Sequence, residues 1–98
     1  MDLLEQARQF LNITWEDKAH DSQLLRYIES SKDYLIKFAE GDDLDFESPG
    51  LPNDLLLNRV LYMDSHKQNE FETNYISELN ELRILHTKNE EDNSRKSI

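Results

Sequence analysis

The sequence predicts an all-α fold: a small bundle of four helices, with a long acidic loop over residues 41–52, a central apolar helix after it and a disordered C-terminal tail. Three observations carry that expectation. Both glycines and both prolines fall within 41–52, so the chain-breaking residues are gathered in one place, which favours helices joined by one substantial loop over many short strands. Apolar residues recur at helical spacing on either side of that loop. Directly after it, seven of the nine residues 55–63 are apolar and point almost all the way round a helix, with only Asn58 and Arg59 as polar interruptions. A helix of that kind is covered by other helices or by another copy of the chain.

Taken in order, Asp2 and Glu5 read as a capping box opening a helix over 2–11, with Leu3, Leu4, Ala7, Phe10 and Leu11 on its apolar side. Asn12 suits a left-handed stop, with Ile13 packing back behind it. Thr14 and Asp17 resemble a second, short capping box around Trp15. The lone tryptophan either covers the gap between the first two helices or stands out as a partner contact. Asp21 or Ser22 is expected to cap a helix over 21–40 that ends at Gly41. Its stripe is Leu24, Ile28, Ser31, Leu35 and Phe38, joined by Leu25 and Ala39. Ser31 is small where bulk is expected, which lets a neighbouring helix approach. Tyr27 and Tyr34 rim the core, and Glu29 with Lys32 and Asp33 with Lys37 form outer-face pairs.

Residues 40–47 hold five carboxylates in eight positions. Asp43, Asp45 and Glu47 alternate as in a calcium loop, but Ser48 stands where the glycine belongs and no distant glutamate follows. The segment therefore reads as a solvated acidic loop that Leu44 and Phe46 tack to the core. Pro52 and Asp54 suit the first turn of the apolar helix, placed at 53–67. The last helix, 70–84, carries Phe71, Tyr75, Leu79 and Leu82, with Ile76 alongside, and a break from its predecessor is expected between His66 and Asn74. Residues 1–86 form the helical domain and 87–98, with nothing apolar from Thr87 to Ser97, a flexible tail.

A net charge of −10 opposes binding to phosphate backbones, which takes lysine and arginine to displace counterions. No apolar run reaches the ~18 residues of a membrane span, and the acidic start lacks a signal peptide's basic and apolar regions. The absence of cysteine removes disulfide and thiol chemistry and fits a cytoplasmic setting. His20, His66 and His86 lie far apart in polar stretches without the i+3 or i+4 partner of a helical metal site, so they read as solvated surface. No phosphate loop or nucleophile elbow is present. The expectation is a non-enzyme without cofactor or metal.

The chain resembles the head-tail connector (head-completion or adaptor) proteins of tailed bacteriophages and prophages. The residues that carry the resemblance are Leu11-Asn12-Ile13-Thr14-Trp15-Glu16-Asp17, Leu35 through Phe38, Leu44-Asp45-Phe46-Glu47-Ser48-Pro49-Gly50-Leu51, Asp54-Leu55-Leu56-Leu57-Asn58, Phe71-Glu72-Thr73-Asn74-Tyr75 and Ser77-Glu78-Leu79. It departs at Asn12, where glycine is commoner, and at Ser30-Ser31, where alanines are expected. The resemblance implies a structural virion protein at the head-tail junction, present in the host cytoplasm during assembly. There it forms a ring below the portal, dodecameric in the usual case, that extends the DNA channel and gives a stopper or tail-completion protein its docking surface. The free chain is then a monomer or weak oligomer, with no sequence-specific nucleic-acid contact and no membrane. The implied portal and subunit interface is Trp15, Phe46, Arg83, Ile84, Leu85, Lys88, Arg95 and Lys96, with Ile84 and Leu85 as apolar anchors. The competing class is a small acidic phage or prophage regulator or inhibitor that binds a protein partner, including a DNA mimic. It ranks lower because the acids outside 40–47 are scattered among lysines rather than set in two rows.

Overall fold

The computed structural model describes residues 2–15, 17–41 and 43–96, with side chains as far as Leu85. Four helices follow one another: α1 (Leu3–Phe10), α2 (Lys18–Ala39), α3 (Leu51–Asp64) and α4 (Gln68–Lys96). No strand occurs among the described residues. α2, α3 and α4 pack on one another in every combination, and α1 lies across α2 and α3.

Local chemistry sets the boundaries. Asp2 accepts a hydrogen bond from the Glu5 N–H at 2.9 Å and starts α1 as expected. α2 starts earlier than the expected cap at Asp21 or Ser22. Asp17 is the cap, its Oδ1 accepting from the N–H groups of Ala19 at 3.0 Å and His20 at 3.2 Å, and so it belongs to this helix rather than to a separate turn around Trp15. α3 starts at Leu51, so the loop ends two residues earlier than expected. Gly50, immediately before it, has φ of 158°, a backbone conformation that residues with a Cβ rarely adopt.

Three helices end the same way. The N–H of Ile13 bonds the carbonyl of Arg8 at 2.8 Å, Gly41 that of Ile36 at 3.1 Å, and Lys67 that of Tyr62 at 2.7 Å. Each closure spans a left-handed residue: Asn12 (φ 59°), Glu40 (φ 59°) and His66 (φ 60°). This is the Schellman stop. Asn12 was the expected left-handed residue; at the end of α2 it is Glu40, with Gly41 one place further on. The stop at His66 separates α3 from α4, so residues 53–84 are two helices. α4 itself bends at Tyr75, whose φ of −118° and ψ of 18° are not helical. No proline or glycine causes that bend. Tyr75 is held across the joint, its ring stacked on Phe71 at 4.9 Å and its hydroxyl donating to Asn58 Oδ1 at 3.0 Å.

The backbone of α4 then continues to Lys96, past the end expected near 84 and through most of the segment expected to lack regular structure. Nothing between 68 and 96 is a helix breaker, and that stretch is rich in helix-tolerant Glu, Leu, Lys and Arg.

The core is Leu3, Ala7, Leu24, Ile28, Leu35, Ala39, Phe46, Leu55, Leu56, Leu57, Val60, Phe71, Leu79 and Leu82. Leu3 rather than Leu4 joins Ala7 as a buried residue of α1, and Leu4, Leu11 and Phe38 pack from the margin. Leu61 is only partly buried and Leu25 is 47% exposed. α3 is covered within the chain by α1, α2 and α4, so no second copy is needed to bury it. Tyr27 and Tyr34 rim the core as expected.

Candidate functional site

The features able to meet a partner lie in three places: the turn at the start of α2, the flank where α2 meets α3, and the α4 segment past Leu82. Trp15 is 56% exposed, yet its backbone is fixed. Arg8 Nη2 donates to the Trp15 carbonyl at 2.7 Å, while Arg8 Nε lies 3.6 Å from Asp21 Oδ1. One guanidinium therefore ties α1, the turn and α2 together beneath an indole that faces outward. Phe10, at the end of α1, is also exposed. Trp15 thus does not cover the gap between the first two helices.

Arg83 and the residues after it lie at the far end of α2. Arg83 Nη2 donates to Glu40 Oε1 at 2.8 Å, and both side chains are mostly exposed. Ile84 and Leu85 are 65% and 45% exposed. α2 has 22 residues, about 33 Å at 1.5 Å per residue, and that length separates the Trp15 turn from the Ile84-Leu85 segment. The side chains of Lys88, Arg95 and Lys96 lie outside the described residues.

Among the interface candidates whose side chains are described, Phe46 is the buried one. It is 7% exposed within the core. The buried Asn53 Nδ2 donates to the Phe46 carbonyl and to Gln6 Oε1, both at 2.7 Å. Gln6 Nε2 in turn donates to the Glu47 carbonyl at 3.0 Å. Phe46 thus tacks the acidic loop to α1 and α3, and its ring is not available as a contact surface on the free chain. In the same loop Asp45 Oδ1 accepts from the N–H groups of Glu47 at 3.0 Å and Ser48 at 3.2 Å. Hydrogen bonds from Ser48 first, and from Glu47, hold the Asp45 carboxyl below its ordinary range. The acid closes its own turn.

The α2–α3 flank was not visible as a site in the sequence. Arg59 points from α3 onto α2, where its Nη1 lies 3.3 Å from Ser30 Oγ, 3.1 Å from Ser31 Oγ and 3.2 Å from Met63 Sδ. Its guanidinium carbon sits 4.4 Å from the centre of the Tyr34 ring, a cation–π contact. Desolvation lowers the Arg59 pKa. The Tyr34 hydroxyl donates to Glu72 Oε1 at 3.0 Å; burial first, then that acceptor, push the phenol up to about 12. Ser31, expected to admit a close neighbour because it is small, is fully buried and does more: its hydroxyl meets the cation.

His20, read as solvated surface, is partly buried with Nε2 2.9 Å from Asp64 Oδ1, joining the start of α2 to the end of α3. A carboxylate only accepts, so that nitrogen carries the proton. Between α3 and α4 a depression of about 310 Å³ is lined by Leu61, Tyr62, Ser65, Lys67, Glu70 and Asn74, with Lys67 and Glu70 both exposed. Among the described residues no three His, Cys, Asp or Glu side chains are grouped to hold a metal ion. Among them, too, no helix is long and apolar enough to cross a membrane.

A family model described as phage gp6-like head-tail connector protein matches residues 1–98. No curated protein and no solved structure matches the chain.

Proposed function

The chain belongs to the phage gp6-like head-tail connector proteins, and from that membership we propose that it forms a ring below the portal, twelve copies in the usual case, extending the DNA channel and offering a stopper or tail-completion protein its docking surface. The observation that carries this reading is the match over all 98 residues, on a fold made only of helices among the described residues. A phage structural connector fits the rest of the molecule. Trp15 and Phe10 stand exposed near one end of α2 and Ile84 and Leu85 near the other, where a head-side and a tail-side partner can each take one pair. Trp15, on a turn fixed by Arg8, has the rigid backbone and large apolar area of an interface anchor.

The end of α4 is given the portal. Arg83, Ile84 and Leu85 begin that surface, and Lys88, Arg95 and Lys96 supply its charge, so the division between residues 1–86 and 87–98 is one of body and docking arm. A charge of −10 suits a channel wall past which DNA slides, because repulsion keeps the duplex from being held. The same charge keeps free copies apart, so in solution the chain is a monomer or weak oligomer until the portal gathers it. Self-association then rises with salt, which screens exposed charges over about 8–10 Å.

Mixing the protein with isolated portal rings and imaging by negative stain tests the reading. A second ring stacked on the portal is expected. Portal rings that remain bare at saturating protein would sink it, as would a tight oligomer of the free chain at low salt and low concentration.

A further inference from the structure

Arg59 lies in an incomplete setting. Its three acceptors are two hydroxyls and a thioether, all on Nη1, with the face of a tyrosine beside it. Guanidinium carries five N–H donors. Nε and Nη2 make no hydrogen bond within the described residues, and neither is sealed from solvent. A half-buried cation is usually matched by a carboxylate, because exclusion of water strengthens the attraction. This chain has 21 acidic residues, yet none among those described pairs with Arg59. Glu72, within reach of Tyr34, is engaged by the phenol instead.

The acidic loop provides the counterpart. Glu47 is exposed and its carboxylate has no partner among the described residues. Its backbone is fixed at both ends, the N–H on Asp45 and the carbonyl on Gln6. The loop lies beside Lys32 of α2, together with Leu3 of α1. Arg59 lies beside Ser30. Arg59 also lies on Ser31 and Tyr34, and at 100° per residue Ser31 is about 100° and Ser30 and Tyr34 about 200° round α2 from Lys32. Arg59 and Glu47, one of several exposed carboxylates without a partner among the described residues, thus lie on different sides of one helix. They do not pair within the chain, but they can meet between neighbours placed side by side.

We propose that Arg59 of one copy receives Glu47 of the next copy, so that each subunit offers a cation on one flank and an acid on the other in a repeating head-to-tail contact. The inference rests on the ring reading and supplies its lateral chemistry. A contact between two different patches generates a ring wherever the rotation closes, whereas a self-complementary patch stops at a dimer. It also resolves how copies that repel one another as whole molecules can still be held in register. The general repulsion is screened and long in range, whereas a desolvated charge pair acts at contact.

Single charge reversals separate this contact from bulk electrostatics. Glu47→Lys moves the net charge two units toward neutrality, so general repulsion alone would strengthen self-association; the proposed contact requires it to weaken, on the order of tenfold. Glu47→Lys leaves both backbone bonds of that residue in place, and its fold is checked by circular dichroism. Arg59→Glu should weaken association similarly, with Arg59→Gln as the milder variant should the reversal disturb the α2–α3 packing. Equimolar mixing of the two reversed proteins restores opposite charges at every junction and should recover wild-type association, read by sedimentation and by rings on portal. Association that is unchanged or stronger in Glu47→Lys, or no recovery on mixing, overturns the contact while rings of the wild-type chain leave the connector reading intact. If the wild-type chain forms no ring even on portal, the ring reading fails and this contact fails with it.

Discussion

α3 and α4 bury their side chains by opposite rules. α3 has 14 residues, of which Asn53, Leu55, Leu56, Leu57 and Val60 are buried, and it has no single wet face. α4 is twice as long, yet of its side chains as far as Leu85 only Phe71, Leu79 and Leu82 are buried. α3 is held because it is surrounded; α4 is held because a few residues at the correct spacing touch the body, and it continues where nothing stops it. A central helix is therefore specified by composition and a peripheral one by period. The end of a peripheral helix is set by breakers or by their absence.

That contrast can be broken most forcefully at its anchors. Phe71→Ala removes the ring at the centre of the Tyr34, Tyr62 and Tyr75 cluster and should cost about 3–5 kcal/mol in denaturant melts. Leu56→Ala, fully buried in α3, should cost about 2–5 kcal/mol. Leu61→Ala, on the partly buried side of the same helix, should fall below that range; equal losses at Leu56 and Leu61 would show that α3 is evenly enclosed and the burial pattern misleading.

Next in size is Asn53→Ala. It removes the donor to the Phe46 carbonyl and Gln6, and should cost about 1–3 kcal/mol because polar groups around the loop lose their partner. The melt should soften together with quicker proteolysis within 41–50; a change in neither would mean that Phe46 holds the loop by its ring alone.

A smaller effect joins α2 to both helices. The Tyr34 phenol titrates near 12 in the folded chain against 10 when unfolded. Raised on folding, it contributes stability in full below pH 10, and that contribution is lost as pH rises toward 12. Wild type should lose stability across that window more steeply than Tyr34→Phe, measured by urea melts at fixed pH. The smallest expected change is from deleting residues 87–98, which should leave the melting temperature almost unaltered while weakening attachment to portal. Undiminished head-to-tail joining by the shortened protein would remove the docking role given to that segment.

Much of this architecture was readable along the chain. α1 followed from Asp2 and the Leu3/Ala7 spacing, α3 from its composition, and the left-handed stop from Asn12. Where reading failed, the deciding partner was distant or two roles competed. Asp17 looked like part of a turn around Trp15 because one aspartate can close a box with Thr14 or cap the helix that follows, and its carboxylate takes the second role on Ala19 and His20. His20 looked solvated, since Asp64 is 44 positions away. Arg59 looked like a mere interruption in an apolar run because Ser30, Ser31 and Tyr34 belong to another helix. Phe46 alternates with acids both as a loop tack and as an exposed anchor would, and only burial distinguishes the two.

The three helix stops have a consequence for how far this fold can be hardened. At each, an ordinary L-residue takes the left-handed conformation that glycine adopts freely, at a backbone cost of about 1–2 kcal/mol, partly offset because glycine is freer when unfolded. The corners of the molecule, rather than its core, therefore hold a reserve of heat resistance. His66 is the place to draw on it, since its side chain is exposed and makes no hydrogen bond or ion pair among the described residues. Glu40 is not, since its carboxylate is what Arg83 grips, and a glycine there would relax the turn while unhooking α4 from the end of α2.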